Sequence, residues 1–155
     1  MGRTVTTPLL FDTSVYVAIL RNAAFAATFR PRYVQDIPLT YFSSVVVQEL
    51  LAGARTPRQR RQVATLYEPF ERVRRIVTPR PLVWQEVGNV VAVLLEKTPQ
   101  FRNKLTSGLL NNILIALSGR SIGARVVTGN GQDFHLIQQF RAFALEVIEP
   151  ERPVK

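Results

Sequence analysis

The stretch Leu9-Leu10-Phe11-Asp12-Thr13-Ser14 decides how this chain is read. Three large apolar residues in succession are the pattern of a strand buried on both faces, and a carboxylate closes it. Thr13 and Ser14 are residue types that cap helices, and Val15, Ile19 and Leu20 give the following helix an apolar face. In open α/β sheets, ligands bind outside the carboxyl ends of the parallel strands. Asp12 is thus expected where such a fold does its chemistry. It is one of three aspartates in the chain, with Asp36 and Asp133.

Working outward, apolar runs at Leu9 to Asp12, Leu39 to Ser43, Val73 to Val77, Ala124 to Thr128 and Phe143 to Ile148 read as five strands. Helical patterns separate them. Ser14 to about Phe29 reads as one alanine-rich helix ended by Pro31, and Val45 to Ala54 as an apolar helix stopped near Gly53 and Pro57. Thr56-Pro57 opens another, with threonine as N-cap and proline at the tolerated first position. Pro81 to Lys97 is amphipathic, with Leu82, Trp84, Val87, Val90, Val91, Leu94 and Leu95 spaced by three and four. Ser107 to Ser118 is apolar nearly all round and must be buried. This alternation implies an α/β three-layer sandwich, a mostly parallel five-stranded sheet with helices on both faces. Residues 1–150 read as a single domain and 151–155 as a short polar tail.

A chain of 155 residues is long enough to bury a substantial core without staples, and it has no cysteine. No apolar leader stands at its N-terminus, and no run nears the roughly 20 apolar residues of a membrane span. A cytoplasmic location is expected. The formal charge is +9, with arginine supplying 17 of 20 basic residues. Such an excess favours polyanions, either nucleic acid or an acidic protein segment, unless it only reflects a coding bias toward arginine.

Polar residues interrupt the apolar pattern at Glu49, Asn112, Asn130 and Asp133. In a parallel sheet, strand-end loops and the first turns of the following helices converge on one edge, so these four and Asp12 are expected to line a single cleft. Oxygen-only donors without cysteine suit a hard cation, Mg²⁺ or Mn²⁺, more than zinc. Each residue also has a plainer role. Asp12 is a potential helix cap, Glu49 a solvated helix residue, Asn112 a buried amide satisfied by the backbone, and Asn130 and Asp133 turn formers beside Gly129 and Gly131. The arginines from Arg55 to Arg80 form either a phosphate-contacting surface or a solvated face that guards a sheet edge. Arg102 and Lys104 precede the Asn112 helix and are nearer the cleft, which makes them the better candidates for RNA phosphates. His135, the sole histidine, reads as structural. Trp84 is expected in the core or a dimer interface, and Phe25 and Phe29 in the core or a partner groove.

The order of these pieces resembles that of the PIN-domain ribonucleases, and most closely the VapC-type toxins of bacterial toxin–antitoxin pairs. The resemblance rests on Phe11-Asp12-Thr13-Ser14-Val15, Val47-Gln48-Glu49-Leu50-Leu51-Ala52-Gly53-Ala54, Asn112-Ile113-Leu114-Ile115-Ala116, and Gly123-Ala124-Arg125-Val126-Val127-Thr128 running on to Asn130 and Asp133-Phe134. It implies a PIN-like fold, an endoribonuclease that uses Mg²⁺ or Mn²⁺ held by an acidic cluster, a cognate antitoxin and a homodimer. Position by position, Asp12 matches the first acid and Glu49 the second, while Asn130 and Asp133 both match the fourth region. The third acid is replaced: where the family reads Asn-Asp, this chain has Asn111-Asn112. The amide keeps one carbonyl oxygen but loses the charge, so a divalent ion should bind more weakly. The resemblance then implies a naturally weakened nuclease, an Asp→Asn exchange introduced at position 112, or, alternatively, a catalytically silent PIN domain serving as an RNA- or protein-binding scaffold.

Overall fold

Leu9, Leu10 and Phe11 form strand β1 (Leu9–Phe11), and all three side chains are buried. The computed structural model describes residues 6–103 and 105–150. Four more strands join the first: β2 (Thr40–Ser43), β3 (Ile76–Val77), β4 (Arg125–Thr128) and β5 (Ala144–Val147). Their order is β3-β2-β1-β4-β5 and every pairing is parallel, so the sheet expected to be mostly parallel is wholly so. Strand β1 is central, with Leu9 opposite both Thr40 and Arg125, and Phe11 opposite Val127.

Between the strands run α1 (Thr13–Arg21), α2 (Ala23–Asp36), α3 (Ser44–Gly53), α4 (Pro57–Arg72), α5 (Pro81–Lys97), α6 (Ser107–Ser121) and α7 (Gly131–Gln138). Right-handed crossovers toward β2 and β3 put α1 to α4 on one face, and the return to β4 and β5 puts α5 to α7 on the other. The two faces of β1 show this. Phe11 meets Tyr16, Phe29 and Tyr33 edge-on, with ring centroids 6.2, 6.0 and 5.5 Å away. Leu10 lies toward α6, which approaches closely through Gly119: a Cβ there would stand 2.8 Å from Val126 Cγ2 and 3.4 Å from Leu10 Cδ2.

Three sequence expectations are corrected. The first helix does not run unbroken to Pro31. It stops at Arg21, and Asn22 caps a second helix by accepting from the Phe25 N–H at 3.0 Å. Pro31 sits inside α2 and leaves the Ala27 carbonyl without its helical donor, a cost of about 3 kcal/mol. The aromatic packing of Phe29 and Tyr33 on Phe11 holds the helix together across it. The third strand begins at Ile76, not Val73: Arg74 takes a left-handed φ of 58°, and Val73 is 63% exposed at the end of α4. The glycine-rich segment after β4 is not all loop, because Asn130 caps α7 there. By contrast, Thr56 caps α4 through the Gln59 N–H at 3.1 Å with Pro57 at the first position, as its sequence dictates. Residues 151–155 lie outside the described residues, and no described helix is long and apolar enough to cross a membrane.

Candidate active site

The strand order reverses direction between β1 and β4, which is the switch point where open α/β sheets form a ligand crevice. Asp12 leaves β1 at that point. Its N–H still donates to the Val127 carbonyl at 2.9 Å, and its residue is only 2% exposed. Oδ2 accepts two hydroxyls, from Thr128 at 2.6 Å and Ser14 at 2.7 Å. Burial pushes the carboxyl above its usual pKa, and these two hydrogen bonds oppose the shift. The N–H groups of Thr13 and Ser14 also favour the charged form, although Asp12 makes no full capping bond to α1.

Thr13 and Ser14 therefore do not cap the helix, because Asp12 occupies the N-cap position and both lie inside the first turn. Their hydroxyls serve carboxylates instead. Thr13 Oγ1 donates to Glu49 Oε1 at 2.7 Å, which ties α1 to α3 beside the cleft. Ser14 Oγ accepts from the Gly129 N–H at 2.9 Å while donating to Asp12. Gly129 is required there for space: a Cβ would stand 2.8 Å from Pro150 Cγ and 3.3 Å from Ser14 Oγ.

Asn112, on α6, is 9% exposed. Its Nδ2 donates to Asp133 Oδ2 at 3.0 Å, so the amide satisfies itself on a carboxylate and not on backbone. Asn130 does something different. Its side chain accepts from the Asp133 N–H at 3.3 Å and caps α7, while its own N–H donates to Thr128 Oγ1 at 2.9 Å. Of the two residues that matched the fourth acidic position, Asp133 is the one whose side chain is joined to Asn112.

The hydrogen bonds thus form three small groups at one sheet edge: Asp12 with Ser14 and Thr128, Glu49 with Thr13, and Asp133 with Asn112. The side-chain oxygens of these three groups suit a hard cation in type. The charge is short of the pattern: among the described residues no three Asp, Glu, His or Cys side chains gather closely enough to hold a metal by themselves. Sequence reading missed the roles of Ser14 and Thr128, which depend on β4 lying beside β1.

The remaining candidates lie apart. Arg102 is exposed in the 3₁₀ turn Pro99–Asn103, and Lys104 lies outside the described residues. His135 is exposed on α7 and shares a hydrogen bond with Gln138 at 3.2 Å. Trp84 is 54% exposed, so it is not a core residue. Phe29 is buried and stacks on the partly buried Phe25 at 5.1 Å.

No family model and no curated protein matches the sequence. Solved structures do match the fold. A chain of DNA-bound VapBC from Salmonella typhimurium superposes with a TM-score of 0.64 at 19% identity, covering 92% of this chain and 98% of that one. A chain of VapBC2 from Rickettsia felis, bound to a DNA fragment from its promoter, gives 0.62 at 20%, covering 92% and 99%. One of FitAcB from Neisseria gonorrhoeae gives 0.62 at 17%, covering 93% and 99%. At such identities the likeness speaks for the backbone alone: this chain has the PIN-like α/β fold of the VapBC and FitAB structures across nearly its whole length.

Proposed function

We propose that this chain is a VapC-type toxin, an endoribonuclease that hydrolyses RNA phosphodiesters with Mg²⁺ or Mn²⁺ and is restrained by a cognate antitoxin. The observation that carries the reading is Asp12: a carboxylate buried at the switch point of a PIN-like sheet and held by two hydroxyls, with a second carboxylate, Asp133, bound by Asn112 at the same sheet edge. Asp12 and Asp133 would hold the ion, with Glu49, Asn112 and Asn130 as further oxygen donors. When bound, such an ion offsets charge on the phosphodiester and makes a water molecule nucleophilic at neutral pH.

The protein's own part is placement. Ser14 and Thr128 fix one oxygen of Asp12 and so hold the buried carboxylate in one orientation. Thr13 does the same for Glu49. Asn112 holds Asp133 by an amide hydrogen where the family pattern has a carboxylate, so it orients its neighbour without adding charge. Arg102 and Lys104 are assigned to substrate phosphates, and a homodimer to the exposed apolar side chains of α5, Leu82 and Trp84.

A second reading, a catalytically silent scaffold, is favoured by the Asn112–Asp133 hydrogen bond itself, which settles Asp133 without an ion. The two are separated by comparing the chain with Asn112→Asp for Mn²⁺ binding by calorimetry and for cleavage of structured RNA. The nuclease reading expects Asn112→Asp to bind Mn²⁺ about tenfold more tightly or better, equivalent to about 1.4 kcal/mol, and to gain Mn²⁺-dependent cleavage. If neither form binds the ion or cuts RNA, the scaffold reading stands in its place.

A further inference from the structure

Two grooves run along the sides of α1 and share Val17 and Arg21; the wide one reaches Ser14, which holds Asp12, and the narrow one reaches Glu49. One is lined by Ser14, Val17, Arg21 and Gly129 and has a volume of 720 Å³. The other is narrower, 120 Å³, and runs from Glu49 past Arg21 to Gln59 and Gln62 on α4. Arg21 lines both. It ends α1, nine residues after Asp12, a distance of about 14 Å along the helix, or about four stacked nucleotides at ~3.4 Å each.

The outer rim of the narrow groove is also basic. Arg58 stands one turn before Gln62 on the same side of α4, and Arg55 is fixed beside Gln59 because its N–H donates to the Gln59 side-chain oxygen at 2.7 Å. All three arginines are exposed, and among the described residues none is paired with a carboxylate. The first turn of α4 holds no acidic residue, although acids are the ones that stabilise a helix N-terminus. Arg55 and Arg58, placed against the dipole of α4, unpaired and at the mouth of a groove, break a local rule without a structural gain, as is expected of a binding surface.

We propose that Arg21, Arg55 and Arg58 form a phosphate-holding track that leads a single strand of RNA along the narrow groove, past Glu49, and by way of Arg21 into the wide groove beside Ser14, the partner of Asp12. The inference rests on the nuclease reading for its substrate. Single-stranded RNA fits these observations better than an acidic protein segment for two reasons. A substrate has to reach both carboxylates, Glu49 in the narrow groove and Asp12 behind Ser14 in the wide one, whereas a docked protein needs only one groove. The wide groove also falls within the roughly 300–1,000 Å³ of sites that hold a small organic group such as a nucleotide. Gln59 and Gln62 supply amide donors and acceptors along the narrow one.

The test measures fluorescence anisotropy of a labelled, unstructured oligoribonucleotide with the full chain in EDTA, across a salt series, so that binding is read without cleavage. The slope of log affinity against log salt should fall by about 0.7 for each of Arg21→Ala, Arg55→Ala and Arg58→Ala, and Arg→Lys at the same positions should restore it. Arg72→Ala, on the far turn of α4, should bind like the unaltered chain; circular dichroism melting checks that every variant is folded. Unchanged slopes in the three variants overturn the track. So does polyglutamate of matched charge competing as well as RNA and losing affinity in the same variants, which would make the rim a site for an acidic protein. Because no metal is present, track variants that fail to change RNA binding in a chain that cleaves RNA sink this inference alone. A chain that binds through the track and never cleaves sinks the nuclease reading alone.

Discussion

Asp12 concentrates the conflict between folding and function. Its carboxyl is raised above the ordinary value of 3.8 by burial, so its charged form is disfavoured in the folded chain relative to the unfolded one. The stability of this site is therefore complete below pH 3.8 and declines as pH rises through the folded pKa. Asp12→Asn removes that penalty and keeps a carbonyl oxygen for the Ser14 and Thr128 hydroxyls. Thermal melting in EDTA should find this variant with a higher Tm than the unaltered chain at pH 7 and a difference that shrinks toward pH 3. Its Mn²⁺-dependent cleavage should drop by more than the roughly 10–100-fold typical of losing an outer partner of a metal ligand. A melting temperature unchanged or lowered at pH 7 would show that the hydroxyl hydrogen bonds outweigh desolvation. At this scale the residue types of Asp12, Glu49 and Asp133 were legible, and their partners were not. Thr13 and Ser14 looked like caps because the sequence cannot say which of three consecutive polar residues occupies the N-cap.

At the scale of elements, α6 carries most. It is buried nearly all round, it presents Asn112 to the crevice, and Gly119 lets it lie close against β1 and β4. One defect sits in it: Ser118 is fully buried and, among the described residues, its hydroxyl is the buried side-chain group that finds no partner. Ser118→Ala removes an unsatisfied polar atom without changing the shape much. It should stabilise the chain by about 1 kcal/mol, a rise in Tm of about 2–4 °C. A loss of stability instead would mean that the hydroxyl is satisfied in solution. The elements themselves were readable from apolar runs and from caps such as Thr56-Pro57. The break at Asn22 and helix α7 were not, since a single side-chain cap decides each and turn-forming residues serve loops and caps alike.

For the whole molecule, the surface of α5 is the feature that folding leaves over. Leu82 and Trp84 are 64% and 54% exposed, a large apolar area to leave in water. If the proposed homodimer forms, and does so through this face, Trp84→Asp should convert a dimer to a monomer in sedimentation velocity, while thermal stability of the monomer changes little because Trp84 is outside the core. A dimer that survives this change uses another face. The charge of +9 works at the same scale, since a field of one sign draws polyanions to the whole surface before any groove selects among them.

The sequence by itself determined the fold class and the position of Asp12 within it. Apolar runs of strand length alternating with helical periods leave few arrangements but a parallel sheet covered on both faces, and a carboxylate ending the first run then falls at the sheet's carboxyl edge. Only the tertiary structure decided the company these residues keep. That Thr128 and Ser14 share one oxygen of Asp12, that Asn112 gives its amide to Asp133, and that Arg21 borders two grooves all follow from β4 lying beside β1 and from helices crossing at particular places. Those contacts join residues as many as 116 positions apart, a distance over which no local pattern in a chain carries information.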